Sequence, residues 1–125
     1  MPRLAANLTM LFTELPFLDR FDAAAAAGFK AVECVAPYVA PAEAVRDRLA
    51  ALDLEMVLFN LPAGDWAAGD RGMAADPARR LAFRESIGLA REYARATGAR
   101  TLHLMAGRIA PDADRAAWTR TLVEN

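Results

Sequence analysis

One cysteine, Cys34, excludes an internal disulfide, and one histidine, His103, excludes a metal centre built on several imidazoles. Charge of either sign is scarce in excess: 15 basic against 16 acidic residues leave a net charge of −1, which offers no general attraction to nucleic acid or anionic lipid. No apolar run approaches the ~20 residues that cross a bilayer, and the alanine tract at 23–27 sits inside an amphipathic helix pattern. The first 12 residues lack a clear basic region, a full apolar core and a cleavage site, so a cytoplasmic location with no membrane or nucleic-acid partner is expected. Also missing are a Walker glycine–lysine loop, a dinucleotide glycine fingerprint after the first strand, a nucleophile elbow and a paired-cysteine zinc pattern.

What remains is a 125-residue chain, 55% hydrophobic, in which strand and helix patterns alternate. Strands are expected at 4–9, 31–35, 56–61 and 101–106. Pro16 opens a first helix that carries Phe17, Leu18 and Phe21 on one face and ends near Gly28. Pro41 opens a second through Leu52. Asp76 and Pro77 give an N-cap and first-turn pair for a long third helix, with Phe83, Ile87, Ala90 and Ala94 at helical spacing and Gly98 closing it. A fourth begins near Asp112 and is expected to run into the chain end. This alternation predicts an α/β fold of parallel βα units, four strands and four helices, forming one partial domain over 1–125. Four such units leave sheet edges and a would-be interior unpaired, so the chain is expected to be the first part of something larger and to self-associate when alone.

Each strand pattern carries one polar group among apolar neighbours: Asn7, Glu33, Asn60 and His103. Side chains two apart share a face, so Glu33 is expected with Ala31 and Val35, Asn60 with Met56 and Leu58, and His103 with Thr101 and Met105, while Leu102 and Leu104 turn to the helix layer. Buried polar groups need partners. Mutually satisfied polar plugs account for Glu33 and His103 as well as ligand contacts do, and backbone-bracing amides account for Asn7 and Asn60. The loops after parallel strands form the functional edge of such folds, and the one after the third strand is long for its kind. Within it Arg71 could grip a carboxylate with its planar fork or sit solvated at the surface, and Trp66 could shield a ligand or anchor the loop by burying its indole. Glu33 and His103 could contribute to an oxygen-rich Mg²⁺ or Mn²⁺ site, but this chain is not expected to complete one.

The segments Ala5-Ala-Asn-Leu-Thr-Met-Leu-Phe-Thr-Glu14, Pro16-Phe-Leu-Asp-Arg-Phe21, Gly28-Phe-Lys-Ala-Val-Glu33 and Leu102-His-Leu-Met-Ala-Gly107 resemble those of the hydroxypyruvate isomerase family, within the xylose-isomerase-like TIM-barrel sugar isomerases and epimerases. The specific match is Phe59-Asn-Leu-Pro-Ala-Gly-Asp-Trp-Ala-Ala-Gly-Asp-Arg-Gly72; Cys34-Val-Ala-Pro-Tyr38 departs from the family's more aromatic pattern. The resemblance implies the N-terminal half of a (β/α)8 barrel whose parent interconverts hydroxypyruvate and tartronate semialdehyde through an enediol, in glyoxylate metabolism. It implies that Asn7, Glu33, Asn60, Trp66, Arg71 and His103 face a small anionic 2-oxo or hydroxy acid or sugar. It also implies two acid–base glutamates and a divalent Mg or Mn site in the second half, beyond Asn125, which leaves no catalytic residue here and the fragment alone inactive. A related ketose epimerase, a 2-oxo-acid sugar isomerase and a non-catalytic truncated product are the other readings.

Overall fold

A computed structural model describes residues 2–125. Four strands, β1 (Ala6–Asn7), β2 (Ala31–Cys34), β3 (Glu55–Asn60) and β4 (Thr101–His103), alternate with helices α1 (Asp19–Ala26), α2 (Ala42–Leu52), α3 (Arg80–Thr97) and α4 (Arg115–Glu124). The strands lie in one sheet in the order β1-β2-β3-β4, and β1 with β2 and β2 with β3 pair parallel. Short 3-10 turns at Pro37–Val39 and Pro77–Arg79 precede α2 and α3.

The helix boundaries follow from their caps. Gly28 ends α1 at φ +91, a backbone region that costs a residue without a Cβ little. Pro41 stands before α2, and Asp53 closes that helix in the left-handed conformation at φ 52. The Asp76 carboxylate accepts from the Ala78 N–H, and Asp114 does the same for Ala116 and Ala117. Two starts fall later than the sequence suggests. Residues 16–18 form a tight turn whose Pro16 carbonyl takes the Asp19 N–H, so α1 begins at Asp19; α4 begins at Arg115 because Asp114, not Asp112, supplies its cap.

Two strands are shorter than their apolar patterns. The Asn7 carbonyl accepts from both Met10 and Leu11, which turns the chain out of β1, and an antiparallel bridge between Gly72 and Ala106 redirects the residues after β4. Leu104, expected against the helix layer, lies past the end of β4 and is 41% exposed.

The chain forms two compact units. One runs through Phe59 and takes in Arg91–Leu102; the other comprises Asn60–Ala90 and His103–Asn125. The first buries Leu8, Phe21, Val32, Val45, Met56 and Phe59, with α2 contributing Ala42, Val45 and Leu49 at helical spacing. Its α3 segment is locked in by Tyr93, whose hydroxyl donates to the Ala40 carbonyl at 2.7 Å and whose ring meets Tyr38 edge-on at 4.9 Å. The second unit packs Met73, Ala74 and Phe83 together, with Leu61 and Ile87 against them.

Candidate functional site

In the first unit the sheet brings Asn7 and Glu33 together. They are register partners on β1 and β2, so their side chains leave one face, and Asn7 Nδ2 donates to Glu33 Oε1 at 2.8 Å. The other end of the amide is also held: Oδ1 accepts from the Thr9 N–H at 2.9 Å. Thr9 Oγ1 in turn accepts from the Val35 N–H at 2.8 Å, tying the loop after β1 to the loop after β2. Glu33 thus has Asn7, rather than His103, as its partner. Behind it Cys34 points into the core, where burial, and secondarily the nearby Glu33 charge, push the thiol up to about 12. Burial likewise raises the Tyr38 phenol, reinforced by Cys34 and Tyr93.

The expected face for Asn60 is corrected by the register. Val32 pairs with Met56 but Glu33 pairs with Leu58, so Val57 is an extra residue and β3 bulges there. Met56 consequently shares the face of Val32 and Cys34 shares that of Phe59, whereas Leu58 stands with Glu33. Asn60, two residues on, shares the face of Leu58 and not that of Met56.

In the second unit Asn60 is buried and its amide donates to Met105 Sδ at 3.6 Å. His103 is exposed, and its carbonyl accepts from the Leu61 N–H at 2.9 Å. The long loop is braced rather than open. Asp70 Oδ2 accepts from the Asp65 N–H at 2.7 Å and pairs with Arg79 at 2.8 Å, and these two contacts hold its carboxyl below the usual range. The Arg71 guanidinium lies over the Trp66 ring, 3.7 Å from its centroid, and Nη1 donates to the carbonyls of Trp66 and Asp70. Trp66 is therefore no buried anchor: it is 49% exposed and offers its face to Arg71. Gly64 and Gly72 both have positive φ, and a Cβ at Gly72 would run into the Met105 carbonyl. Arg108, on the loop after β4, approaches Gly69.

Among the described residues no group of three or more His, Cys, Asp or Glu side chains is placed to hold a metal ion. Glu33 belongs to the first unit and His103 to the second.

A family model described as xylose isomerase-like TIM barrel matches residues 21–125. The chain belongs to this family. It is 54% identical over its whole length to a 2-oxo-tetronate isomerase of Cupriavidus necator, covering 48% of that protein. It is 45% identical to the hydroxypyruvate isomerase of Escherichia coli, again over all of this chain and 48% of the relative. A crystal structure titled AP endonuclease, family 2, from Brucella melitensis superposes with a TM-score of 0.94 at 49% identity, covering 99% of this chain and 48% of that one. The chain thus spans about half the length of these relatives, and its four parallel βα units are half the complement of an eight-fold xylose isomerase-like barrel.

Sequence periodicity did not single out Arg20, Thr9, Asp70 or Arg79, which hold the two loops. Arg20 lies between Asp19 and Phe21, with Asp22 beyond, and nothing in that pattern sets it apart from a surface cation. The bonds of Asp70 and Arg79 depend on loop geometry that no period encodes.

Proposed function

We propose that the protein carrying this chain isomerises a short 2-oxo acid bearing a hydroxyl on the adjacent carbon, with hydroxypyruvate or its four-carbon homologue 2-oxo-tetronate as substrate. The observation that carries this reading is the unbroken match of all 125 residues to relatives named for those two substrates. For hydroxypyruvate, a proton leaves C3 while the C2 carbonyl oxygen gains one, an enediol spans C2 and C3, a proton is returned to C2, and the C3 hydroxyl gives up its proton to become the aldehyde of tartronate semialdehyde. The activity belongs to the whole protein, because the acid–base glutamates that the family resemblance implies lie outside this chain.

The roles left to this chain are binding and orientation. Glu33, set by Asn7, accepts from a substrate hydroxyl, and Asn60 and His103 offer further polar contacts. Arg71 takes the carboxylate: its guanidinium is immobilised on Trp66 with only Nη1 engaged by carbonyls, which favours a planar two-point grip over a mobile point charge. Arg108 is the next cation along this edge. The four-carbon acid is favoured as a second substrate by the 54% identity to the Cupriavidus necator protein.

The test is to incubate the whole protein with each acid in D₂O and follow it by proton NMR. Solvent deuterium at the carbon next to the carbonyl, with tartronate semialdehyde from hydroxypyruvate or a 3-oxo acid from 2-oxo-tetronate, is the expected result; no exchange and no product with either acid would sink the proposal. Arg71→Ala should raise the Michaelis constant about ten- to a hundred-fold, as loss of a charged hydrogen bond of roughly 1.5–3 kcal/mol requires, with Arg71→Lys restoring part. A change within about twofold is too small for that loss and would pass the role to Arg108 or to a residue outside this chain.

A further inference from the structure

One side chain gathers three carbonyls of the segment between β1 and α1. Arg20, in the first turn of α1, donates from Nε to the Leu15 carbonyl at 2.9 Å, from Nη1 to the Leu8 carbonyl at 2.9 Å and from Nη2 to the Thr13 carbonyl at 3.4 Å. Three nitrogens of one planar fork thus meet three carbonyls of one short segment. None of those carbonyls lies in a strand or helix, and each needs a donor. The same segment contains Phe12 at φ 60, a left-handed backbone that an aromatic residue keeps only where its surroundings fix it.

What the clamp holds leads directly to Glu33. Leu8 is fully buried; its carbonyl is taken by Arg20 and its N–H donates to the Glu33 carbonyl at 2.8 Å. The preceding residue is Asn7, whose carbonyl accepts from Met10 and Leu11 and whose Oδ1 accepts from Thr9, so every acceptor of Asn7 is spent on this loop. That arrangement leaves Nδ2 as the free end of the amide and aims it at Glu33 Oε1. A loop displaced by an ångström would carry the Asn7 amide with it.

We propose that Arg20 is a positioning residue which, by fixing the turn after β1, holds the Asn7 amide on Glu33 and so sets the carboxylate that orients substrate. The catalytic part of this proposal rests on the functional reading above; the structural part does not. Lysine cannot substitute fully, since one ammonium on a flexible stem does not span three carbonyls in a plane.

Two measurements on the whole protein test it. The first is a double-mutant cycle in kcat/KM with Arg20→Ala, Asn7→Ala and the pair. Arg20→Ala should lower kcat/KM on the order of ten- to a hundredfold, as misplacement of an orienting group does, with Arg20→Lys restoring part of the loss. In the Asn7→Ala background the same change should cost little, because its route to Glu33 is already gone. Additive losses at temperatures where all variants remain folded would overturn the proposal. The second measurement is hydrogen exchange of the Asn7 side-chain amide and of the Thr9, Met10 and Leu11 N–H groups by NMR. Arg20→Lys, which keeps the charge and most of the stem and so serves if Arg20→Ala fails to fold, should accelerate exchange at these sites while leaving β2 protected. Unchanged exchange at Asn7 would overturn the proposal even in a fully active enzyme. Conversely, an unsubstituted protein inactive on both acids would defeat the functional reading, and the exchange experiment would still decide the role of Arg20.

Discussion

At the scale of residues, the pair at the heart of the first unit shows what a sequence can and cannot convey. Asn7 and Glu33 stood out because each is a polar side chain in an apolar strand pattern, and the register puts them side by side. Arg20 did not, since three carbonyl acceptors leave no trace in side-chain chemistry. Cys34 has a chemical consequence of its own. Its thiol is 2% exposed and raised by burial from 9.0 to about 12, so it is a neutral core group at physiological pH. A thiol reagent should therefore label it only as fast as the protein unfolds, and prompt labelling of the folded protein would refute this. Because the folded value exceeds the unfolded one, Cys34 contributes its stability fully below pH 9.0 and loses it as pH rises toward 12. Cys34→Ala should flatten that alkaline decline in a pH series of denaturant midpoints.

At the scale of elements, strand and helix order was legible because each element has its own apolar period and punctuation, as with Gly28, Pro41, Asp76 and Gly98. The bulge at Val57 was not. Residues 56–61 are apolar but for Asn60, which leaves no mark of an extra residue, and only pairing with β2 shows that Glu33 meets Leu58 rather than Val57. The glycines divide in the same manner between pattern and contact. Gly72 has φ +111 and no room for a Cβ against Met105, whereas Gly88, within α3, faces open space. Gly72→Ala should destabilise through both strain and collision, and Gly88→Ala should stabilise by roughly 0.5–1 kcal/mol, read as opposite shifts of the unfolding midpoint. Equal shifts would mean that the loop backbone can yield. Asp70 supplies a pH-dependent counterpart. Its carboxyl is held below the usual 3.8, chiefly by the hydrogen bond from Arg79 and then by the Asp65 N–H, so its bracing is complete above that value and is lost as pH falls through the lowered one. Asp70→Asn should lower the protection factors of the amides in 64–72 at neutral pH, after correction for intrinsic exchange, to near those of the unsubstituted loop in acid, and an unaltered loop would remove Asp70 from this role.

For the molecule as a whole, parallel βα units were readable from the order of elements, and the family from the 59–72 segment, but the division into two units was not, because each unit is assembled from two separate stretches of chain. Both units carry exposed apolar side chains, Leu4, Met10 and Val39 in one and Leu104, Leu122 and Val123 in the other. Together with a span of about half the relatives' length, this leads us to expect concentration-dependent association of the 125 residues when expressed alone, measured by sedimentation velocity. A monomer unfolding cooperatively at every accessible concentration would contradict that expectation. The hydroxyl of Tyr93 on the carbonyl of Ala40 bears on the order of events during synthesis. Those partners are 53 residues apart, so a ribosome that has just released β1, β2 and β3 has delivered most of the first unit without the residues that complete it. The nascent chain must hold Tyr38 and Phe59 in an unfinished core until the later half of α3 emerges, which makes that interval the one in which a chaperone would find exposed aromatic surface to bind.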